Sequence, residues 1–271
     1  MHRLEPRLIS FNAMSTTTAA SEYKIDLSDG LSLWLATPQQ KAAAGYVVNE
    51  IFKKQRYNHP GFEIRPTDTI VDIGANMGVF VLWAAKQAAQ GKVIAIEPTS
   101  AIEVLRMNVE RNRLTNVVPV QAAAGIDGGS FEIVTYPGFN IVNHHAGWQP
   151  KMWTKFFIWL LYRKYQSGPV RERASVKSLR RILDENGIER VNYLKCDCEG
   201  GEYEIFRSLD DDTFARIDKI AMEFHEYAPG QDRAELIRLL ERHGFTVEVH
   251  KSWFEYTFMK YGMLWATRKG K

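Results

Sequence analysis

Residues 69–80 read TIVDIGANMGVF, and this stretch decides the fold of the chain. An apolar run ends at Asp72, a turn containing Gly74 and Gly78 follows, and a helical pattern begins directly after the turn. Glycine lets the backbone turn tightly and lets a ligand approach where a Cβ atom would clash. The start of a helix also directs unpaired N–H groups toward the same place. The stretch therefore predicts a strand–loop–helix cradle for a nucleotide-like ligand.

A second carboxylate narrows the choice of ligand. Glu97 ends the next predicted strand, nineteen residues after Gly78, where a carboxylate accepts hydrogen bonds from ribose hydroxyls. The loop lacks the G-x-G-x-x-G pattern of dinucleotide enzymes, whose helix faces a pyrophosphate. We expect Asp72, in front of the loop, to repel an anion and to tolerate a cation. S-adenosylmethionine fits, because it has a ribose, a sulfonium and an ammonium group but no phosphate.

The composition is that of an ordinary soluble globular protein, with 271 residues, 45% hydrophobic and 25% charged. We predict a mobile tail over residues 1–20 and a single domain over 21–271. The tail lacks the apolar core of a secretory signal, and no window of about 18 apolar residues predicts a membrane span. These features favour a cytoplasmic protein.

The net charge of +3 is concentrated in one segment. Residues 151–173 carry a net charge of +5, which leaves −2 for the remainder of the chain. A nucleic-acid-binding protein usually shows a broader basic face. We therefore expect no nucleic-acid partner, and an RNA 2′-O-methyltransferase is the less favoured alternative.

Strand and helix patterns alternate along most of the chain, which is typical of a parallel, doubly wound sheet. The alternation breaks at an insertion over residues 125–175, which includes a short strand pair near residues 131–135. A hairpin over 22–36 and a helix over 45–57 precede the sheet. The predicted strands are 69–73, 92–97, 117–122, 191–197, 217–224, 246–250 and 262–267. The predicted helices are 77–89, 100–113, 177–186, 201–209 and 231–243.

Acidic residues gather where the later strands end. Residues 195–202 read KCDCEGGE and residues 223–225 read EFH. Ligands of open α/β sheets bind beyond the carboxyl ends of the strands. We therefore expect one edge to carry Asp72, Glu97, Asp197, Glu199, Glu223 and His225. Five carboxylates there require cationic partners, which a sulfonium ligand, Lys195 or a divalent ion would supply. Cys196 and Cys198, two apart in an apparent strand, are expected to point to opposite faces.

Four motifs together resemble the FkbM family of S-adenosylmethionine-dependent methyltransferases. They are VDIGANMG, Glu97-Pro98, the run from Lys195 to Glu202, and Glu223-x-His225; Gly201 stands where many members have alanine. The resemblance covers roughly residues 65–225. It implies the class I, Rossmann-like methyltransferase fold, a seven-stranded sheet with its last strand antiparallel, and methyl transfer to a hydroxyl oxygen. The candidate cofactor-binding residues are Asp72, Gly74, Ala75, Asn76, Gly78, Glu97, Pro98, Ala123 and Asp197.

Two arrangements could activate the acceptor hydroxyl, which is a poor nucleophile at neutral pH. In the first, a general base takes the proton. The candidate catalytic residues are His144, His145, Glu199 and His225, and His144 is the favoured base. In the second arrangement, Asp197 and Glu223 bind Mg²⁺ or another divalent cation, because hard oxygen ligands suit this ion. The two arrangements could coexist.

The insertion is expected to form a lid-like cap over the acceptor site. Trp148, Trp153 and Trp159 offer flat faces for stacking on sugar rings, which favours a hydroxyl of a sugar, oligosaccharide or glycoconjugate as the acceptor. The same aromatic residues would suit a hydrophobic lid or a homodimer surface. The apolar run 156–161, flanked by Lys155, Arg163 and Lys164, would allow peripheral contact with an anionic membrane. A polyketide or other natural product is the alternative acceptor. A non-catalytic S-adenosylmethionine-binding scaffold and an NAD-dependent oxidoreductase are the alternatives from other classes.

Overall fold

The computed structural model of the chain describes residues 23–135, 144–145, 170–250, 256 and 260–270, with residues 144–145 described by their backbone alone. The predicted tail over residues 1–20 lies outside this range. The strands are β1 (Tyr23–Asp26), β2 (Ser32–Leu35), β3 (Thr69–Ile73), β4 (Lys92–Ile96), β5 (Val117–Val120), β6 (Ala123–Ala124), β7 (Ser130–Thr135), β8 (His144–His145), β9 (Val170–Lys177), β10 (Tyr193–Cys196), β11 (Lys219–His225), β12 (Phe245–His250) and β13 (Tyr261–Arg268).

The main sheet has seven strands in the order β12–β13–β11–β10–β3–β4–β5. Strand β13 runs antiparallel to β11 and β12, and the pairs from β11 through β5 are parallel. This is the doubly wound, class I methyltransferase arrangement, and the prediction of its antiparallel last strand is confirmed. The strand order reverses between β3 and β10, so the carboxyl ends of these two strands border the crevice where such sheets bind ligands.

Helices cover both faces of the main sheet. They are α1 (Pro38–Val48), α2 (Val79–Gln87), α3 (Ala101–Arg111), α4 (Leu179–Glu185), α5 (Glu202–Arg207), α6 (Asp211–Ala215) and α7 (Arg233–Arg242). A π-helical turn, Asn49–Lys53, continues α1. The prediction of a helix over 45–57 is wrong at both ends, because the helical region starts at Pro38 and stops at Lys53. The short helix α6 was not predicted.

Among the described residues, the core of the main sheet consists of two hydrophobic clusters, one on each face of the sheet. Helix α2 and the β1–β2 hairpin pack on one face, where Leu33 and Leu82 are fully buried. Helices α4, α5 and α7 pack on the other, where Phe206 and Leu240 are fully buried. Alternate residues of β3 enter the two clusters, because successive side chains of a strand point to opposite faces. The central strands β3 and β4 are therefore apolar apart from Thr69, Asp72 and Lys92.

The insertion contributes a second, smaller sheet in the order β6–β9–β7–β8. Strands β7 and β9 pair antiparallel from Ser130 with Ser175 to Thr135 with Val170, so the predicted short strand pair is confirmed. Residues 136–143 and 146–169 lie outside the described residues. The predicted lid, sugar-stacking, membrane and dimer roles of that segment therefore stay predictions. Within the described ranges, none of the helices is long and apolar enough to cross a membrane.

Candidate cofactor and acceptor site

The loop between β3 and α2 lies directly against the end of β10. Gly74 has φ +82°, a conformation that favours glycine. A Cβ atom placed on Gly74 would lie 2.0 Å from the backbone oxygen of Asp197. A residue with a Cβ atom is therefore excluded at this position for two reasons, namely the positive φ and the close approach of the Asp197 oxygen. The sequence predicted the close approach of a ligand to Gly74, whereas the atom that approaches it in the structure is the backbone oxygen of Asp197.

The N–H groups of this loop are bonded within the protein. Gly74 and Ala75 both donate to the carbonyl of Ile96 at 3.0 Å, and Asn76 donates to Glu97 Oε2 at 2.9 Å. The Gly78 N–H donates to the Ala75 carbonyl at 2.9 Å. These four N–H groups of the loop are therefore not available to a ligand. A phosphate-binding loop needs such donors, so the arrangement suits a ligand without phosphate.

Glu97 is buried at the end of β4 and retains some capacity to accept hydrogen bonds. Its Oε1 accepts from the N–H and the hydroxyl of Thr99, at 3.0 and 2.5 Å. Its Oε2 accepts the Asn76 N–H. A carboxylate has about four lone-pair positions, so one position remains for a ribose hydroxyl. Burial raises the pKa of Glu97, while the bonds from Thr99 and Asn76 oppose that rise. The adjoining Pro98 is half-buried, and Ala123 is buried at the start of β6.

Asp72 lies inside the sheet rather than in front of the loop. It is fully buried in β3, and its Oδ1 accepts a hydrogen bond from Lys195 Nζ at 2.9 Å. Lys195 also donates to the Gly74 carbonyl at 3.3 Å. The expectation that Asp72 stands in front of the loop is thus corrected, because it lies beneath the loop and is paired with Lys195, while its contact with the ligand stays a prediction. Its second oxygen, Oδ2, is buried and has no partner among the described residues, so it is an acceptor left over for a ligand or a water.

A histidine–carboxylate cluster occupies the ends of β10 and β11. His225 Nδ1 lies 3.0 Å from Glu202 Oε1, and its Nε2 lies 3.5 Å from Glu223 and 3.9 Å from Glu199. Burial lowers the pKa of His225, but the neighbouring carboxylates, above all Glu202, outweigh this and hold the pKa well above its usual value. Burial, with Asp197 and Glu223 nearby, raises the pKa of Glu199 to about 8 although His225 opposes the rise. The expected gathering of Asp197, Glu199, Glu223 and His225 at one edge is observed.

Glu202 is a member of this cluster that ends the third sequence motif but was not among the predicted site residues. It is fully buried, and its carboxylate accepts the N–H groups of Cys198 and Gly200 besides facing His225. The carboxylate therefore holds the loop that carries Asp197 and Glu199, and it sets the orientation of the imidazole. The available signal was the spacing Glu199-Gly200-x-Glu202, because a glutamate at the start of a helix after a glycine turn can bond backbone N–H groups.

Arg56 and Tyr57 reach the same cluster from the loop after the π-helical turn. Arg56 Nη2 lies 3.3 Å from Glu223 Oε2, and Tyr57 Oη donates to Asp197 Oδ2 at 3.3 Å. Both residues were assigned to an ordinary helix in the sequence. No local signal could have found them, because Tyr57 and Asp197 are 140 residues apart.

The remaining predicted residues have different outcomes. His144 and His145 form β8, the outer strand of the small sheet, where their backbones pair with Val134 and Ile133. The position of their side chains lies outside the described range, so the base role of His144 stays a prediction. Asp197, Glu223 and His225 each offer one ligand atom for a metal within 4.8 Å of the others. This set contains both predicted metal ligands and adds His225.

The two cysteines are closer than the sequence predicted. Their Sγ atoms lie 3.8 Å apart, and both thiols are free. The expectation that they point to opposite faces is wrong, because β10 ends at Cys196 and Cys198 already belongs to the following turn. The Cys198 sulfur lies 3.4 Å from the Cβ position of Gly74. The pair therefore packs between the loop after β3 and the loop after β10.

Comparison with protein-family models identifies one family over most of the chain. The methyltransferase FkbM domain matches residues 72–247. The match begins at Asp72 and ends in β12, so it includes the loop, Glu97 and the whole histidine–carboxylate cluster.

Three curated proteins illustrate the similarity. Methyltransferase 1 of Beauveria bassiana is 29% identical over 256 residues, which cover 90% of this chain and 98% of that protein. The 31-O-demethyl-FK506 methyltransferase FkbM of Streptomyces tacrolimicus is 27% identical over 220 residues, which cover 75% of this chain and 82% of that protein. The AMB antimetabolite synthetase AmbE of Pseudomonas aeruginosa is 28% identical over 233 residues, which cover 76% of this chain but 11% of that longer protein.

Proposed function

Because the chain belongs to the FkbM methyltransferase family, we propose that it transfers a methyl group from S-adenosylmethionine to a hydroxyl oxygen of a small-molecule acceptor. The observation that carries this proposal is the juxtaposition of two half-sites at one sheet edge. The loop after β3 and Glu97 form one half, and the cluster from Asp197 to His225 forms the other. Gly74 and Asp197 lie in direct contact between them.

The residues of the first half fit the methyl donor. Glu97 has acceptor capacity for the ribose hydroxyls, and the free Oδ2 of Asp72 is a buried anionic acceptor of the kind an ammonium group requires. The internally bonded N–H groups of the loop suit a donor that lacks phosphate. When bound, S-adenosylmethionine supplies a methyl group that is already activated on a sulfonium. The protein must then place the acceptor oxygen in line and accept its proton.

We assign proton acceptance to Glu199, with the protonated imidazole of His225 as the neighbouring cation that stabilises its carboxylate. Glu199 is about one-third exposed and can meet an acceptor, whereas His225 is buried behind it at 3.9 Å. Asp197 and Glu223 would orient the acceptor from the neighbouring strand ends. The basis of this assignment is geometric, because Glu199, His225, Asp197 and Glu223 all lie beside the donor half of the site.

A divalent cation is the second candidate for activating the hydroxyl. Potential ligand atoms of Asp197, Glu223 and His225 lie within 4.8 Å of one another, which favours a shared metal ion. Turnover measured with and without EDTA separates the two arrangements. Activity that is lost in chelator and restored by Mg²⁺ would establish the metal arrangement, whereas full activity in chelator would leave proton transfer to the side chains.

Two acceptor classes are supported by different observations. The aromatic insertion favours a sugar, oligosaccharide or glycoconjugate, and the similarity to the 31-O-demethyl-FK506 methyltransferase favours a hydroxylated natural product such as a polyketide. Transfer of a labelled methyl group from S-adenosylmethionine to panels of both classes, with mass identification of the product, tests the proposal. A labelled methyl group on a former hydroxyl oxygen of a compound from either panel supports methyl transfer to oxygen.

The alternatives predict other outcomes of binding assays. Salt-dependent retention of RNA on filters would favour an RNA 2′-O-methyltransferase. Binding of S-adenosylmethionine without transfer to any acceptor would favour a non-catalytic scaffold. Tight binding of NADH without affinity for S-adenosylmethionine would overturn the proposal.

A further inference from the structure

The acceptor half of the site carries more negative than positive side chains. Asp197, Glu199, Glu202 and Glu223 surround a single imidazole, His225. Carboxylates this close require a neighbouring cation, because each anion destabilises the others. In many sites with several carboxylates that cation is a metal ion. In this protein, two residues from the loop after the π-helical turn already occupy the outer side of the cluster.

Arg56 is held between two buried or nearly buried carboxylates. Its Nη1 lies 3.0 Å from Glu50 Oε2 and its Nη2 lies 3.3 Å from Glu223 Oε2. The guanidinium also lies 5.6 Å from the centre of the Tyr261 ring, and 14% of the side chain is exposed. These three contacts leave the guanidinium little freedom, so its positive charge is fixed beside Glu223.

Tyr57 is fixed by a second set of contacts. Its carbonyl accepts a hydrogen bond from Tyr193 at 2.6 Å, and its ring packs edge-on against Phe80 at 5.3 Å. The hydroxyl then donates to Asp197 Oδ2. One oxygen of each strand-end carboxylate, Asp197 and Glu223, is therefore engaged by the same loop.

We infer that Arg56 is a built-in counter-cation of the acceptor site, which takes the place of a divalent ion beside Glu223 while Tyr57 orients Asp197. The inference rests on the proposed function only in taking this cluster as the acceptor half. A guanidinium is always charged, and displacing it would break the ion pairs that Arg56 makes with Glu50 and Glu223. The positive charge of Arg56 would repel a metal ion that binds to Asp197, Glu223 and His225. Arg56 and Tyr57 are positioning residues, since they act through the two carboxylates.

The test is Mn²⁺ binding, measured by electron paramagnetic resonance on the full chain with S-adenosylmethionine present. For the wild type we expect no saturable site below about 1 mM, the weak end of protein cation sites. Arg56→Gln should create one site with at least about tenfold higher affinity. Adding Glu223→Gln to Arg56→Gln should remove that site. Arg106→Gln, which removes an exposed arginine paired with Glu103, is the matched control and should behave as the wild type.

Two results would overturn the inference, namely a wild-type site as strong as that of Arg56→Gln, or a folded Arg56→Gln variant that binds no Mn²⁺. If thermal melting shows that Arg56→Gln does not fold, the wild type is compared with Glu223→Gln alone. Equal and weak Mn²⁺ binding by both supports the inference, and wild-type binding that Glu223→Gln abolishes overturns it. The readout does not depend on methyl transfer. Failure of the proposed function would instead appear as missing cofactor binding or missing transfer.

Discussion

The Glu202 carboxylate lies 3.0 Å from Nδ1 of His225, and both side chains are buried. The same carboxylate accepts the N–H groups of Cys198 and Gly200. Glu202 thus connects the imidazole of β11 with the loop after β10. This contact directs His225 Nε2 toward Glu199 and Glu223, the side of the cluster where an acceptor can bind.

Replacing Glu202 should therefore impair both turnover and stability. In Glu202→Gln, one half of the amide can no longer accept, so a buried donor loses its partner. We expect a loss of about 2 kcal/mol in the free energy of unfolding and a fall in kcat of about a hundredfold. Urea denaturation and steady-state kinetics measure the two effects. Glu204→Gln, on the exposed face of the same helix, is the control; wild-type kcat in Glu202→Gln would remove its role in orienting His225.

Gly74→Ala should disrupt the contact between the two half-sites. The added Cβ would lie 2.0 Å from the Asp197 carbonyl oxygen, so the backbone must shift. Gly128→Ala is a close control, because Gly128 has nearly the same φ, +83°, but nothing within 4 Å of its Cβ position. Both variants should show backbone strain of about 1–3 kcal/mol, and Gly74→Ala should lose additional stability and bind S-adenosylmethionine more weakly. Equal calorimetric affinities for the two variants would contradict this account.

The buried pair of Lys195 and Asp72 should behave as a coupled unit. Lys195→Met leaves a fully buried carboxylate without its counter-charge and should cost about 3 kcal/mol in the free energy of unfolding. Lys195→Met combined with Asp72→Asn removes both charges and should recover most of that loss. Chemical denaturation of the wild type, the two single variants and the double variant gives the coupling energy. Additive losses in this cycle would show that the pair is not coupled.

Glu97 should contribute mainly to affinity for the methyl donor. Glu97→Ala removes the acceptor available to ribose and also releases the Asn76 N–H, so we expect affinity to fall by about a hundredfold, or about 3 kcal/mol. Glu103→Gln, an exposed change on α3, should leave the affinity unchanged. Isothermal titration calorimetry with S-adenosylmethionine measures both. Undiminished affinity in Glu97→Ala would rule out its contact with the ribose.

The identity of the base can be decided by comparing single replacements. If Glu199 accepts the proton beside the protonated His225, His225→Asn and Glu199→Gln should each lower kcat by about a hundredfold while cofactor binding persists. His144→Ala and His145→Ala, on the outer strand of the small sheet, should then retain most of their turnover. The opposite ranking of the four variants would restore His144 as the base. Labelled methyl transfer under saturating S-adenosylmethionine separates the two outcomes.

Sequence patterns predicted the main sheet well because those patterns are local. The apolar runs of β3 and β4 and the glycine turn after β3 are each readable within a few residues, and the observed boundaries of both strands agree to within one residue. The helix before them was misplaced at both ends, because it begins at Pro38 and a π-helical turn ends it at Lys53. That error concealed Arg56 and Tyr57, which lie in the loop that follows.

The sequence by itself determined the fold, the family and the edge of the sheet where we propose the site, since parallel strands place their carboxyl ends together whatever the loops contain. Only the tertiary structure decided which charges are paired. Asp72 meets Lys195 across 123 residues, and Tyr57 meets Asp197 across 140. Such pairings depend on the register of neighbouring strands and on where a loop crosses the sheet edge, and neither is encoded in a local pattern. The sequence therefore located Asp72 at the end of the strand before the loop. Its burial beneath the loop and its pairing with Lys195 were decided by packing alone.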